Sequence, residues 1–337
     1  MAKITLGMWT SHGPTLSTTP QEWLMRVKAD QNRPSHPFRL KNYSFDELKD
    51  LRKSENLAEQ ASLDQRTIRH GRCMTAISKM ADIWNDVKPD VAIIMGNDQK
   101  EIFNDEMIPA FTVFSGDTLY NEPASAEQIS MMAPGIHEAE DGHNPSEYTE
   151  YPGQPELGRL IIEQATKEGF DVAQMTKLPK HEKHWSSGVG HAFGYIYRQV
   201  MRDKVVPNVP IIANTFFPPN QPTAKRCFEF GRMVGRAIKG WDSDLTVAII
   251  GSGGMSHFVI DEDLDNLFMK ALESRNADIL TNLDEGYFQT GTSELKNWIS
   301  AAGVMFETSL QGEMIDYVPC YRSEAGTGTA NGFVCWR

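Results

Sequence analysis

Three apolar runs in this chain each end on a turn that carries a side chain capable of chemistry. Ile4–Trp9 gives way to Thr10-Ser11-His12-Gly13-Pro14, Val91–Met95 to Gly96-Asn97-Asp98-Gln99, and Leu245–Ile250 to Gly251-Ser252-Gly253-Gly254-Met255-Ser256-His257. An imidazole ligates metals and moves protons near neutral pH, and the Asn-Asp-Gln turn adds a carboxylate and two amides as oxygen donors. A further carboxylate, Glu294, heads the segment Thr292-Ser293-Glu294-Leu295-Lys296-Asn297-Trp298. Each has an ordinary explanation. A lone histidine after a turn is usually a hydrogen-bonded structural residue, and Glu294 reads equally as an acidic first turn favoured by the helix dipole. Their shared placement favours function, because ligands of open α/β sheets bind beyond the carboxyl ends of the strands.

Other chemistries lack their signatures. Gly251-Ser252-Gly253-Gly254 is not spaced as GxGxxG, and no GxxxxGK[ST], HExxH or GxSxG occurs. These glycines serve better to turn the backbone sharply before His257. Cys73, Cys227, Cys320 and Cys335 are scattered without CxxC spacing, which argues against a zinc knuckle or dithiol and for buried free thiols.

The elements that must position these residues follow from periodicity. Continuous apolar, β-rich runs at 4–9, 91–95, 209–213 and 245–250 read as strands of a buried sheet. From Glu55 to Val87 apolar residues recur at helical spacing, as one long helix or two broken near Gly71. Ala224–Lys239 is helical between two strands, which makes a parallel crossover. The fold class is therefore α/β, a mixed or mostly parallel sheet flanked by helices, with residues 1–337 read as one catalytic domain. Residues 20–55 form an inserted excursion, with a helix starting near Ser44 or Asp46. Residues 116–155 form a long loop-like segment able to cover a site. At 40% hydrophobic and 23% charged residues the chain can fill a core. A net charge of −12 without a basic run argues against nucleic acid. No window approaches the ~18 apolar residues of a membrane span, and no leader is visible, so a cytoplasmic protein is expected.

The order of Ser11-His12-Gly13-Pro14, the strand into Asn97-Asp98-Gln99, Gly253-Gly254-Met255-Ser256-His257 and the Thr292–Trp298 helix resembles the LigB-type (class III) extradiol ring-cleavage dioxygenases over nearly the whole chain. Tyr317-Val318-Pro319-Cys320-Tyr321-Arg322 and Ala325-Gly326-Thr327-Gly328-Thr329 look closest to the gallate and 3-O-methylgallate type. The resemblance implies a non-haem Fe(II) centre that opens the ring of a catechol- or gallate-like aromatic acid with O2, in a homodimer. It implies His12 and Glu294 as metal ligands and His257 as the base for the substrate hydroxyl.

One departure stands out. Where the family commonly reads Asn-Asp-His, this chain has Gln99, so the second histidine ligand is replaced by a neutral amide oxygen. Either Gln99 completes the metal set, or Asp98 or Glu101 helps, or the site has lost iron and acts as a hydrolase, an isomerase or a non-catalytic binding protein. A further family histidine, near the substrate and about 70 residues before the Gly-Gly-Met-Ser-His turn, is matched first by His191 and second by His184. The ordinary reading makes His191 a helix start and places His184 in a charged, exposed run. Tyr321 and Arg322 are candidates for a substrate carboxylate, although an arginine near a terminus is more often solvated.

Overall fold

The structure, a computed structural model, describes residues 1–181 and 184–337. Glu182 and Lys183, the middle of the charged run beside His184, lie outside the described residues. The sheet-forming strands are β1 (Lys3–Thr10), β2 (Val91–Asn97), β3 (Phe111–Phe114), β4 (Ala173–Met175), β5 (Asn208–Ala213), β6 (Thr246–Ser252), β7 (His257–Val259), β8 (Gly312–Tyr321) and β9 (Thr327–Trp336). Among the helices that pack on the sheet are α1 (Leu63–Val87), α2 (His191–Tyr195), α3 (Ala224–Gly240) and α4 (Leu295–Met305).

The strand order is β7-β9-β1-β6-β2-β5-β3-β4, with β8 pairing the other way along β9. The central strands β1, β6, β2 and β5 are mutually parallel. Antiparallel pairings occur at the flanks, where β9 meets β1, β7 and β8 and where β3 meets β5. This is the expected α/β class. The apolar runs are continuous because both faces of the sheet are covered. Val91, Ile93 and Met95 of β2 face the core beneath α3 and α4, whereas Ala92 and Ile94 face the core beneath α1 and α2. The crossover from β5 through α3 to β6 is parallel, with β2 between the two strands.

The helix expected from residue 55 to 87 divides earlier than Gly71. A short turn at Leu57–Gln60 precedes α1, whose N-cap Ser62 accepts from Gln65, and α1 runs unbroken through Gly71. The excursion at 20–55 holds a 3-10 turn (Glu22–Arg26), a short helix (Val27–Asn32), a two-strand ribbon and the helix Phe45–Leu51, capped by Ser44 through a capping box. Residues 116–155 are more ordered than their composition suggests. Strands Thr118–Asn121 and Thr149–Pro152 pair with each other and bracket a helix (Ala126–Met131) and a 3-10 turn (His137–Gly142). All four cysteines are buried and free. No helix among the described residues is long and apolar enough to cross a membrane.

Candidate active site

Because β1, β6 and β2 are adjacent and in register, with Thr10 opposite Ser252 and Gly251 opposite Met95, their carboxyl ends open on one place. His12 follows β1 and is buried. Glu294 closes the 3-10 turn Thr290–Glu294 that leads into α4, and it is buried too. His12 Nε2 lies 3.1 Å from Glu294 Oε2, and His257 Nε2 lies 3.7 Å from the same oxygen. A nitrogen of His12, a nitrogen of His191 and an oxygen of Glu294 all fall within 4.8 Å of one another. The His12 and His191 rings meet edge to face at 4.5 Å.

The hydrogen bonds around the rings settle which nitrogens face inward. Ser252 Oγ donates to the Ala192 carbonyl at 2.6 Å, so it accepts from His12 Nδ1–H at 2.9 Å. The His191 Nδ1–H lies 2.8 Å from both oxygens of Glu101, whose Oε1 also accepts the His191 backbone N–H at 2.8 Å. His257 Nδ1–H donates to the Met255 carbonyl at 2.7 Å. Each ring thus spends Nδ1 on the protein, which leaves Nε2 for the cavity. Glu294 is oriented in turn: Asn97 Nδ2 donates to its Oε1 at 3.3 Å, and Asn297 Nδ2 donates to Asn97 Oδ1 at 2.8 Å.

Burial lowers the His12 pKa below its ordinary value, although Glu294 opposes this. Burial would also raise Glu294, but the adjacent His12 and His257 hold it well below the carboxylate range. For His191 burial pulls downward, and the Glu101 carboxylate overcomes it to push the imidazole up to about 9. Glu101 stays ionised against burial because His191 lowers it to about 2. His257 is raised by Glu294 against the effect of burial. With Nδ1–H committed to Ser252, His12 Nε2 lies buried 3.1 Å from Glu294 Oε2 and has no hydrogen-bond partner among the described residues. That arrangement fits a cation between them, and the Glu101–His191 pair is the usual carboxylate support behind a ligating imidazole.

A cavity of about 260 Å³ opens above these groups, lined by His12, His191, His257, Glu294, Gln99, Glu101, His143, Arg26 and Arg322, with Trp23, Trp185, Ile136 and Phe258 as apolar walls. A cavity of about 150 Å³ takes benzene, so this one accommodates a single substituted ring. The insertion contributes Trp23 and Arg26, and the 116–155 segment contributes Ile136, Glu140 and His143.

The sequence candidates distribute unevenly. Gln99 lines the cavity, but the third member of the clustered donors is His191, anticipated in a substrate-facing role. Asp98 is turned away as a backbone cap, accepting from the N–H groups of Lys100, Glu101, Ile102 and Phe103. His184 is absent from the lining and bonds Asn104 and the Ser186 carbonyl. Tyr321 must be corrected: it does not line the cavity, because its hydroxyl donates to Glu262 at 2.8 Å. Arg322 does line it, yet its guanidinium is matched bidentately to the buried Asp30 at 2.7 and 2.8 Å. Sequence reasoning passed over Arg26, Trp23 and His143, all within segments that read as irregular.

Comparison with known proteins identifies the family. Residues 77–331 match the family model described as the catalytic LigB subunit of aromatic ring-opening dioxygenase. Among curated proteins, a gallate dioxygenase from Pseudomonas putida is 29% identical over 127 residues, covering 37% of this chain and 34% of that protein. The chain therefore matches about a third of the length of that relative. Among solved structures, the crystal structure of the uncharacterized protein JW3007 from Escherichia coli K12 aligns with a TM-score of 0.45 at 11% identity, covering 77% of this chain and 91% of that one. With the match to the family model spanning three of the convergent residues, His191, His257 and Glu294, the chain belongs to the LigB family of aromatic ring-opening dioxygenase catalytic subunits.

Proposed function

We propose that the protein is an Fe(II)-dependent extradiol dioxygenase that opens the ring of a catechol- or gallate-like aromatic acid, of the 3-O-methylgallate type, with both atoms of O2 entering the product. The observation that carries this reading is the buried, unpartnered His12 Nε2 standing 3.1 Å from Glu294 Oε2 at the floor of a ring-sized cavity, with His191 within ligand reach. We assign His12, His191 and Glu294 to the metal, with Gln99 beside them as a neutral amide. Two nitrogens and one carboxylate are the donor set of non-haem ferrous oxygenases, and such a centre supplies open positions where two adjacent ring oxygens and O2 meet.

The remaining roles belong to the chain's own groups. His257, with Nδ1–H fixed on the Met255 carbonyl, holds a lone pair on Nε2 that accepts the proton of a substrate hydroxyl. Glu101 keeps the His191 ring in one orientation. Trp23 and Trp185 donate their indole N–H groups to the carbonyls of Thr15 and Lys100, at 3.1 and 3.0 Å, and so hold rigid apolar walls that exclude water. Residues 1–337 act as one catalytic domain, and by family resemblance the protein is a cytoplasmic homodimer.

The test is O2 uptake by anaerobically purified, Fe(II)-reconstituted protein given gallate, 3-O-methylgallate and protocatechuate, with His12→Ala and Glu294→Ala alongside. Uptake with stoichiometric ring-opened product, lost in both variants, is the expected result. Iron-loaded, folded protein that consumes no O2 with any of the three refutes the reading.

A further inference from the structure

We propose that Arg26 selects substrates that carry a carboxylate, by receiving the acid group of an aromatic acid whose ring occupies the cavity above His12 and Glu294. This deepens the proposed ring-opening function and rests on it. Arg26 ends the 3-10 turn Glu22–Arg26 and lines the cavity. Its stem is packed so closely on Gly135 that a Cβ there would lie 2.8 Å from Arg26 Cδ, and Nη1 donates to the Pro134 carbonyl at 3.3 Å. The guanidinium is therefore held between the insertion and the 116–155 segment.

Its electrostatic surroundings lack an uncommitted anion. Among the described residues Arg26 forms no ion pair, in contrast to Arg322 on the same wall. The Asp30 carboxylate beside it is consumed by both Arg322 bonds and by Thr327 Oγ1 at 2.7 Å. Arg33, stacked 4.1 Å over the Phe258 ring, adds a third cation. The nearby acids of the lining are engaged elsewhere: Thr19 N–H and hydroxyl donate to Glu22 Oε2 at 2.7 and 2.9 Å, and Asn144 Nδ2 donates to Glu140 Oε2 at 2.6 Å, with His143 Nε2 3.2 Å from Glu140 Oε1. Three guanidinium groups thus share one neighbouring carboxylate that is already saturated. Burial and the charges of Arg322 and Arg33 weigh against the Arg26 cation, with Asp30 opposing them only in part. An incoming carboxylate relieves that imbalance and matches the planar guanidinium fork with two parallel hydrogen bonds.

The experiment is anaerobic calorimetric titration of Fe(II)-loaded protein with protocatechuate and with catechol, which differ by one carboxylate, in wild type, Arg26→Gln, Arg26→Lys and the remote surface variant Arg236→Gln. The wild type and Arg236→Gln are expected to bind the acid at least about tenfold more tightly than catechol, the scale of one charge-assisted contact. Arg26→Gln brings that ratio close to one, and Arg26→Lys restores part of it. A ratio unchanged in Arg26→Gln, a wild type without preference, or equal weakening of both ligands overturns the assignment. O2 uptake measured on the same samples separates the two ideas. Uptake with an unchanged ratio sinks Arg26 alone, no uptake with a collapsing ratio sinks the ring-opening reading alone, and binding of neither compound sinks both.

Discussion

Replacing Glu101 by glutamine tests whether His191 is a metal ligand held by a carboxylate, since the change removes the charge and keeps the shape. Glu101 is buried, and its oxygens take the His191 backbone N–H and the Nδ1–H, each at 2.8 Å, with the Gln99 N–H at 3.4 Å. The amide of Glu101→Gln offers one acceptor oxygen to these donors, and its NH2 must face one of them. A charge-assisted bond of about 1.5–3 kcal/mol becomes a neutral one of about 0.5–1.5, and one buried donor loses its partner at about 1–3 kcal/mol. Part of that loss falls on the fold and cancels in binding. What remains for the metal is about 1.4–2.8 kcal/mol, or 10–100-fold in affinity, the range seen when the support behind a ligating histidine is removed. The assay is Fe(II) affinity by competition with a chelator under anaerobic conditions, with thermal unfolding of the metal-free protein measured in parallel. An affinity within about threefold of wild type, in a variant that folds normally, refutes the argument.

Three further outcomes follow from the same geometry. His191→Ala is expected to abolish stoichiometric iron binding while Gln99→Ala retains it, as read by metal analysis after desalting; the reverse pattern restores Gln99 as the third ligand. A Cβ at Gly291 would lie 2.0 Å from His257 Cδ2, so Gly291→Ala drives the base off its Met255 anchor. It should lower kcat by about 10²–10⁴-fold with iron content unchanged, and wild-type kcat in the variant removes His257 from proton transfer. Asp265, held by Ser256 N–H and the hydroxyls of Ser256 and Tyr317, is pushed up by burial to about 7. Because an acid whose folded pKa exceeds its unfolded value is penalised once ionised, its contribution to stability is lost as pH rises from about 4 to 7. Denaturant midpoints between pH 4 and pH 7 should fall less steeply in Asp265→Asn than in wild type, and equal slopes exclude the assignment.

The sequence made the strand ends legible because strands buried on both faces are unbroken apolar runs, and each such run here stops at a turn. β1, β2, β5 and β6, and with them His12, Asn97 and the turn before His257, were readable on that ground. The hairpin β8–β9 was not. Thr327-Gly328-Thr329-Ala330-Asn331-Gly332 has neither alternation nor β-rich character, and it is buried only because β1, β7 and β8 pair along it. Pairings across the fold were equally hidden. Arg322 looked like a free cation near the end of the chain, yet Asp30, 292 residues earlier, neutralises it. Arg26 carried no signal at all inside the irregular insertion, because a guanidinium without an ion-pair partner among the described residues stands out only once the acids around it are engaged elsewhere.

The proposed assignment of the metal donors turns on the same kind of long-range fact. From the sequence, the turn after β2 offers Gln99 where imidazole is usual, and the donor set looks one nitrogen short. In three dimensions Glu101, two residues past Gln99, reaches the backbone and ring of His191, 90 residues on, and fixes its Nε2 toward the cavity. The loop shape that lets it do so comes from Asp98, whose carboxylate gathers four consecutive N–H groups. Thus the Asn-Asp-Gln turn contributes to the site through support: Asn97 orients Glu294, Asp98 shapes the loop, and the loop delivers Glu101 to His191. The three rings converge because three different acceptors, Ser252 Oγ, Glu101 and the Met255 carbonyl, each claim an Nδ1–H. Removing any one acceptor frees its ring to flip, so Ser252→Ala should loosen His12 as Glu101→Gln loosens His191, and a variant lacking both acceptors should lose iron more completely than either alone.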